Sequence, residues 1–148
     1  MRHFSHLVRR FINSWSRKDV TADELNMVHS TLTASEMNLW DQFCIADRRH
    51  SVQVAQRFNA LLPSASREIL AGVLLHDIGK IQSNLSTVMR VIATVIGPRT
   101  KRFALYHEHE EIGITMLRHA GSHPDVIAVL NHTCSAEVVA AFRLADNI

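Results

Sequence analysis

His76 and Asp77 stand side by side where the apolar run Leu74-Leu75 stops, and this pair constrains the chain more than any other feature. Imidazole nitrogen and carboxylate oxygen are both ligands for zinc, iron, manganese and nickel. A carboxylate has two oxygens, so one aspartate can also bridge two ions. The other candidate ligands are far away in sequence: His50 upstream, then His109, His132 and Asp146 downstream. Apart from the adjacent pair, each falls in a different predicted helix or helix end. Such residues meet only if several helices fold with their inward faces together, which is how helical bundles build metal sites.

The rest of the chain reads as helix. Phe4, Leu7, Val8, Phe11, Ile12 and Trp15 recur at helical spacing, with Arg9, Arg10 and Arg17 on the other face. This stripe suits a first helix packed on the domain better than one lying on a membrane surface. Thr21 with Glu24, and Thr33 with Glu36, have the spacing of capping boxes. Asp47 is the expected cap of a helix reaching about Leu62, with Val52, Ala55, Phe58 and Leu62 on one face. Pro63 breaks it, and Ser64 is expected to restart a helix carrying Ile69, Leu70, Val73, Leu74 and Asp77 near one face. Gly79 suits a left-handed helix end. Further helices are expected from Leu85 to Ile96, from Tyr106 to Ala120, from Pro124 to near His132, and after Ser135. No alternating strand pattern and no repeat occurs. The predicted fold is therefore all-α. One domain fills residues 1–148, with 1–46 a helical extension and 47–148 the core.

Composition narrows the class. A chain of 148 residues, 47% hydrophobic and 20% charged, is a globular domain of ordinary size rather than a disordered one. The net charge of +2 gives no reason to expect a stable nucleic-acid complex. Cys44 and Cys134 form no metal-binding spacing and are expected to be buried thiols in a reducing compartment. No apolar run is long enough to cross a bilayer, and the N-terminus lacks the apolar core and cleavage site of a signal peptide. A cytoplasmic location is the expectation.

The local contexts of the candidate ligands carry a family resemblance. Arg48-Arg49-His50-Ser51-Val52, Leu75-His76-Asp77-Ile78-Gly79-Lys80, His109 followed by Gly113, Asn131-His132-Thr133 and Leu144-Ala145-Asp146-Asn147 occur in that order. This H … HD … H … H … D arrangement resembles the HD-domain superfamily of metal-dependent phosphohydrolases, over roughly Arg48 to Asp146. The resemblance implies a helical bundle with the metal site in its core. It implies that His50, His76, Asp77 and Asp146 hold one metal, and that Asp77, His109 and His132 hold a second, with Asp77 bridging and thus central to catalysis. Iron or manganese is the expected pair of divalent metals, with zinc, nickel, cobalt and magnesium as alternatives. A water bound by such metals is acidified toward neutrality and attacks a phosphate ester or anhydride, the expected substrate being a nucleotide. Lys80 and Arg49 are the candidate phosphate-binding cations, and Glu110 a residue orienting a ligand.

The chain departs from the subfamilies that would name a substrate. The acidic pair that follows the HD in guanosine alarmone hydrolases is replaced by Ile78-Gly79-Lys80. The Gly-Tyr-Pro element of cyclic-dinucleotide phosphodiesterases is absent, since Thr133-Cys134-Ser135 follows His132. The stretch from His132 to Asp146 looks like that of enzymes splitting dinucleoside polyphosphates symmetrically, but without their segment after the last aspartate. Two other activities stay open at this level. The same ligands holding mixed-valence iron serve oxygenases of the superfamily, and members that have lost ligands act as regulatory modules.

Overall fold

The computed structural model describes residues 18–83 and 108–147. Within them seven α-helices and one short 3₁₀ helix follow one another, with no strand. The expected helices over Phe4–Trp15 and Leu85–Ile96 and the expected start at Tyr106 lie outside the described residues.

Helices α1 (Ala22–Thr31) and α2 (Ala34–Trp40) begin as their sequences require. The Thr21 hydroxyl accepts from the Glu24 amide while the Glu24 carboxylate accepts from the Thr21 amide, and Thr33 and Glu36 repeat the exchange. Each box satisfies two amides that a helix start leaves without partners. Helix α3 (Ile45–Leu61) starts earlier than expected. Its cap is Cys44, without a side-chain capping bond, and Asp47 sits in the first turn, where it accepts from Cys44 Sγ at 3.3 Å. That position at a helix start leaves Cys44 exposed, and Cys134 is only half-buried against the edge of the core, so the expectation of two buried thiols is corrected.

Helix α4 (Arg67–Leu75) is capped by Ser66 rather than Ser64, because the turn after Leu62 takes up Pro63, Ser64 and Ala65. From Ala71 to Leu75 every residue is buried. A helix apolar on all sides belongs at the centre, and α4 packs against α1, α3 and α6 (Pro124–Leu130). Gly72 permits the last contact. A Cβ there would lie 2.7 Å from the Val126 carbonyl oxygen and 2.7 Å from Val129 Cγ2.

The 3₁₀ helix (Ile78–Ser83) follows His76 and Asp77 directly and packs against α5 (His109–His119), which also touches α6. Helix α7 (Ala136–Asp146) starts at Ser135, as its sequence predicts, and lies along α3. One hydrophobic core runs through the whole assembly. It includes Val28, Leu32, Trp40 and Phe43 from the first helices together with Phe58, Leu74, Leu117, Val129 and Phe142.

Gly79 departs from its expected role. Among the described glycines only Gly121 has a positive φ, at 71°. Gly79 instead lets two backbones meet. A Cβ on it would overlap the His109 carbonyl and lie 2.8 Å from the Gly113 nitrogen. A Cβ on Gly113 would lie 3.1 Å from Ile78 Cγ2 in return. Two glycines therefore seat the turn after Asp77 against the first turn of the His109 helix.

Candidate metal centre

His76 ends α4 in right-handed helical geometry, with its ring buried among the inward faces of α3 and α7. Its Nδ1 lies 2.7 Å from the Val73 carbonyl. A carbonyl only accepts, so Nδ1 carries the proton and Nε2 presents a lone pair. That Nε2 is buried and has no hydrogen-bond partner. A buried acceptor left in this way is costly unless something meets it. A histidine fixed through its other nitrogen is also how proteins prepare an imidazole for a metal.

The neighbouring groups converge on the same point. Asp77 Oδ2 lies 3.5 Å from His76 Nε2 and 3.8 Å from His50 Nε2, and Asp77 Oδ1 lies 3.5 Å from His109 Nε2. Asp146 Oδ1 is 3.1 Å from His50 Nε2 and 3.5 Å from His76 Nε2. His50, His76 and Asp77 bring one ligand atom each within 4.8 Å of one another. Four elements thus contribute: α3 gives His50, the end of α4 gives His76 and Asp77, α5 gives His109 and α7 gives Asp146. Three nitrogens and two carboxylates, one nitrogen bare and buried, are a donor set that a divalent transition metal fits.

The charges are mutually supporting. Burial opposes ionisation of Asp77, but Lys80, His76 and His50 outweigh it and hold its carboxyl well below the usual carboxylate range. The same holds for Asp146, where the hydrogen bond with His50 and the charges of His76 and His50 overcome burial. Burial would depress His76, yet Asp77 and Asp146 raise it above its ordinary value. A site whose two carboxylates stay ionised around the buried His76 is electrostatically prepared for a cation.

His132 is placed by an unusual backbone. Helix α6 closes with Thr133 N–H donating to the Ala128 carbonyl and His132 N–H to the Val129 carbonyl. These are the two bonds of a Schellman motif, whose left-handed residue is most often glycine. Here it is His132, at φ 56°. Its ring lies 6.0 Å from Phe142, which in turn stands edge-on to His76 at 5.3 Å. His132 lies just beyond the expected end of α6 and lines the cleft from an exposed position.

The cleft has a volume of about 290 Å³ and is lined by His76, Asp77, His109, His132, Asp146, Glu110 and Arg143, with Phe142 and Leu130 as its apolar wall and Asn147 at its edge. The two cations singled out from sequence do not line it. Lys80 Nζ is held 2.5 Å from Asp77 Oδ2. Arg49, adjacent to His50, acts on Glu24 of α1, whose carboxyl is lowered first by the Thr21 amide and in part by Arg49. Arg143 was invisible to pattern reading, which saw only a polar position beside the apolar stripe of α7. Burial and then Asp125 push the Cys134 thiol up, which disfavours its thiolate.

Helices bringing histidines and aspartates from distant segments into one cluster around the buried His76 and Asp77 define an all-α domain with a candidate metal centre. The family model of the HD domain matches residues 48–147, about two thirds of the chain. The chain belongs to this family, and so to a superfamily of metal-dependent phosphohydrolases. No curated protein and no solved structure gives a significant match. Among the described residues, no helix is long and apolar enough to cross a membrane.

Proposed function

We propose that this protein is a metal-dependent hydrolase of a phosphate ester or anhydride, acting on a small phosphorylated substrate of the nucleotide class. One observation carries the reading. The buried Nε2 of His76 has no hydrogen-bond partner, and it sits between the carboxylates of Asp77 and Asp146 beside His50. In this reading His50, His76, Asp77 and Asp146 hold a first divalent metal, iron or manganese. Asp77, His109 and His132 hold a second, and residues 47–148 form the core of a single domain. Metals there supply an activated water and charge neutralisation for a phosphoryl group. The chain's own residues do the remainder. Val73 fixes the tautomer of His76, Asp146 orients His50, and the wall of Phe142 and Leu130 limits water around the phosphoryl group. Lys80, already on Asp77, stands ready to balance charge at that carboxylate.

The test is Asp77→Ala, purified beside the unaltered protein from iron- or manganese-supplemented cells. Elemental analysis should find metal in the unaltered protein and almost none in the variant, and release of phosphate from a panel of nucleotides should vanish with it. Full metal content in Asp77→Ala would sink the assignment.

A further inference from the structure

We propose that Arg143 is a substrate-binding residue whose guanidinium takes the phosphoryl oxygens of the substrate at the mouth of the cleft. The proposal deepens the phosphohydrolase reading and rests on it.

Three carboxylates line the cleft, those of Asp77, Glu110 and Asp146. An anionic substrate entering it needs positive charge beyond that of metals bound deeper in. Among the described residues, Arg143 is the sole lysine or arginine lining the cleft. Lys80 is committed to Asp77, and Arg48, two residues before His50, donates to the Asp41 carbonyl at 2.6 Å. Arg143 is exposed, and among the described residues its side chain forms no hydrogen bond or ion pair.

Arg143, Asp146 and Asn147 fall at i, i+3 and i+4 of one helical face, and all three line the cleft. Neighbours at that spacing have Cβ atoms roughly 5–6 Å apart. Helical side chains lean toward the N-terminus, so Arg143 reaches back along α7 from Asp146. The planar guanidinium offers paired donors matched to phosphate oxygens. Because the side chain is solvated, it reorients onto a ligand without breaking an internal bond.

The experiment uses the full chain loaded with manganese, with inorganic phosphate as the probe. Calorimetric titration should show phosphate binding weakened about tenfold or more in Arg143→Ala, the loss expected for hydrogen bonds to a charged donor. Arg143→Lys should fall between the two. Metal content and the far-ultraviolet circular dichroism spectrum should not change. In hydrolysis of a nucleotide substrate, KM should rise about tenfold with kcat nearly constant, because ground state and transition state lose the same contact. Equal phosphate affinity in Arg143→Ala, or no phosphate binding by the unaltered protein, overturns the proposal. Loss of metal in Arg143→Ala also overturns it, since the arginine would then act through Asp146. Arg143-dependent phosphate binding in a protein that hydrolyses no phosphate ester would defeat the phosphohydrolase reading and leave the anion site standing.

Discussion

Helices α5 and α6 end in the same hydrogen-bonded motif with different residues at its left-handed position. After α5 the residue is Gly121, with Ser122 N–H on the Leu117 carbonyl and Gly121 N–H on the Arg118 carbonyl. After α6 it is His132, with the equivalent pair of bonds. Glycine adopts positive φ without steric cost, whereas a side chain there costs about 1–2 kcal/mol. Nothing lies within 4 Å of a Cβ at Gly121, so only backbone geometry recommends glycine there. At His132 the chain accepts the cost, and the imidazole gained lines the cleft. Strain of this kind persists where a side chain is needed for something other than the fold.

Gly79 sharpens the contrast, because it is required for space rather than for φ, and the largest effect on the fold is expected there. Gly79→Ala forces a methyl into the His109 carbonyl, and the costs of overpacking suggest a loss of about 3 kcal/mol. A thermal melt should move down on the order of 10 °C. Metal content should fall as well, because Asp77 and His109 separate. A melt within a degree of the unaltered protein would show that the two backbones are not in fixed contact.

His132→Gly should separate the two costs at the α6 end. Relieving the left-handed position should leave the melting temperature unchanged or raise it by a few degrees, since removing such strain returns up to about 1 kcal/mol. Metal content should drop from two per chain to one, with turnover falling by about a hundredfold. A variant that is less stable but fully active would reverse the reading of this residue.

Gly121→Ala is the smallest of the three. A Cβ at φ 71° should destabilise by about 1 kcal/mol, and the melt should shift by roughly 2–4 °C. Metal content and turnover should stay as they were, since Gly121 does not line the cleft.

The sequence was informative where the determining contacts are local. Both capping boxes were readable because donor and acceptor lie three residues apart, and the start of α7 at Ser135 followed from the same logic. The order and contexts of His50, His76, Asp77, His109 and Asp146 pointed to side chains that the fold does bring together. Local signals failed where the fold decides. Cys44 caps α3 without a capping bond, so nothing in its sequence marks the boundary. Gly79 looked like a helix end because glycine is common there, and only the approach of α5 reveals its other purpose. Which cation reaches the cleft is a tertiary matter. Lys80 turns to Asp77, Arg49 does not line the cleft, and Arg143 does.

The N-terminal helices have a consequence for what counts as the unit of this protein. Trp40 is fully buried, donates from Nε1 to Ser51 Oγ at 2.9 Å, and carries the Arg48 guanidinium 5.3 Å above its ring. Ser51 passes the link on by donating to the Arg48 carbonyl, beside His50. The stretch recognised by kinship begins at Arg48, after Val28, Leu32, Trp40 and Phe43 have already entered the common core. A chain cut at that border would give up four core side chains and the indole that steadies the first turns of α3. Ancestry and mechanical integrity draw their borders here at different residues, and the histidine at position 50 depends on both.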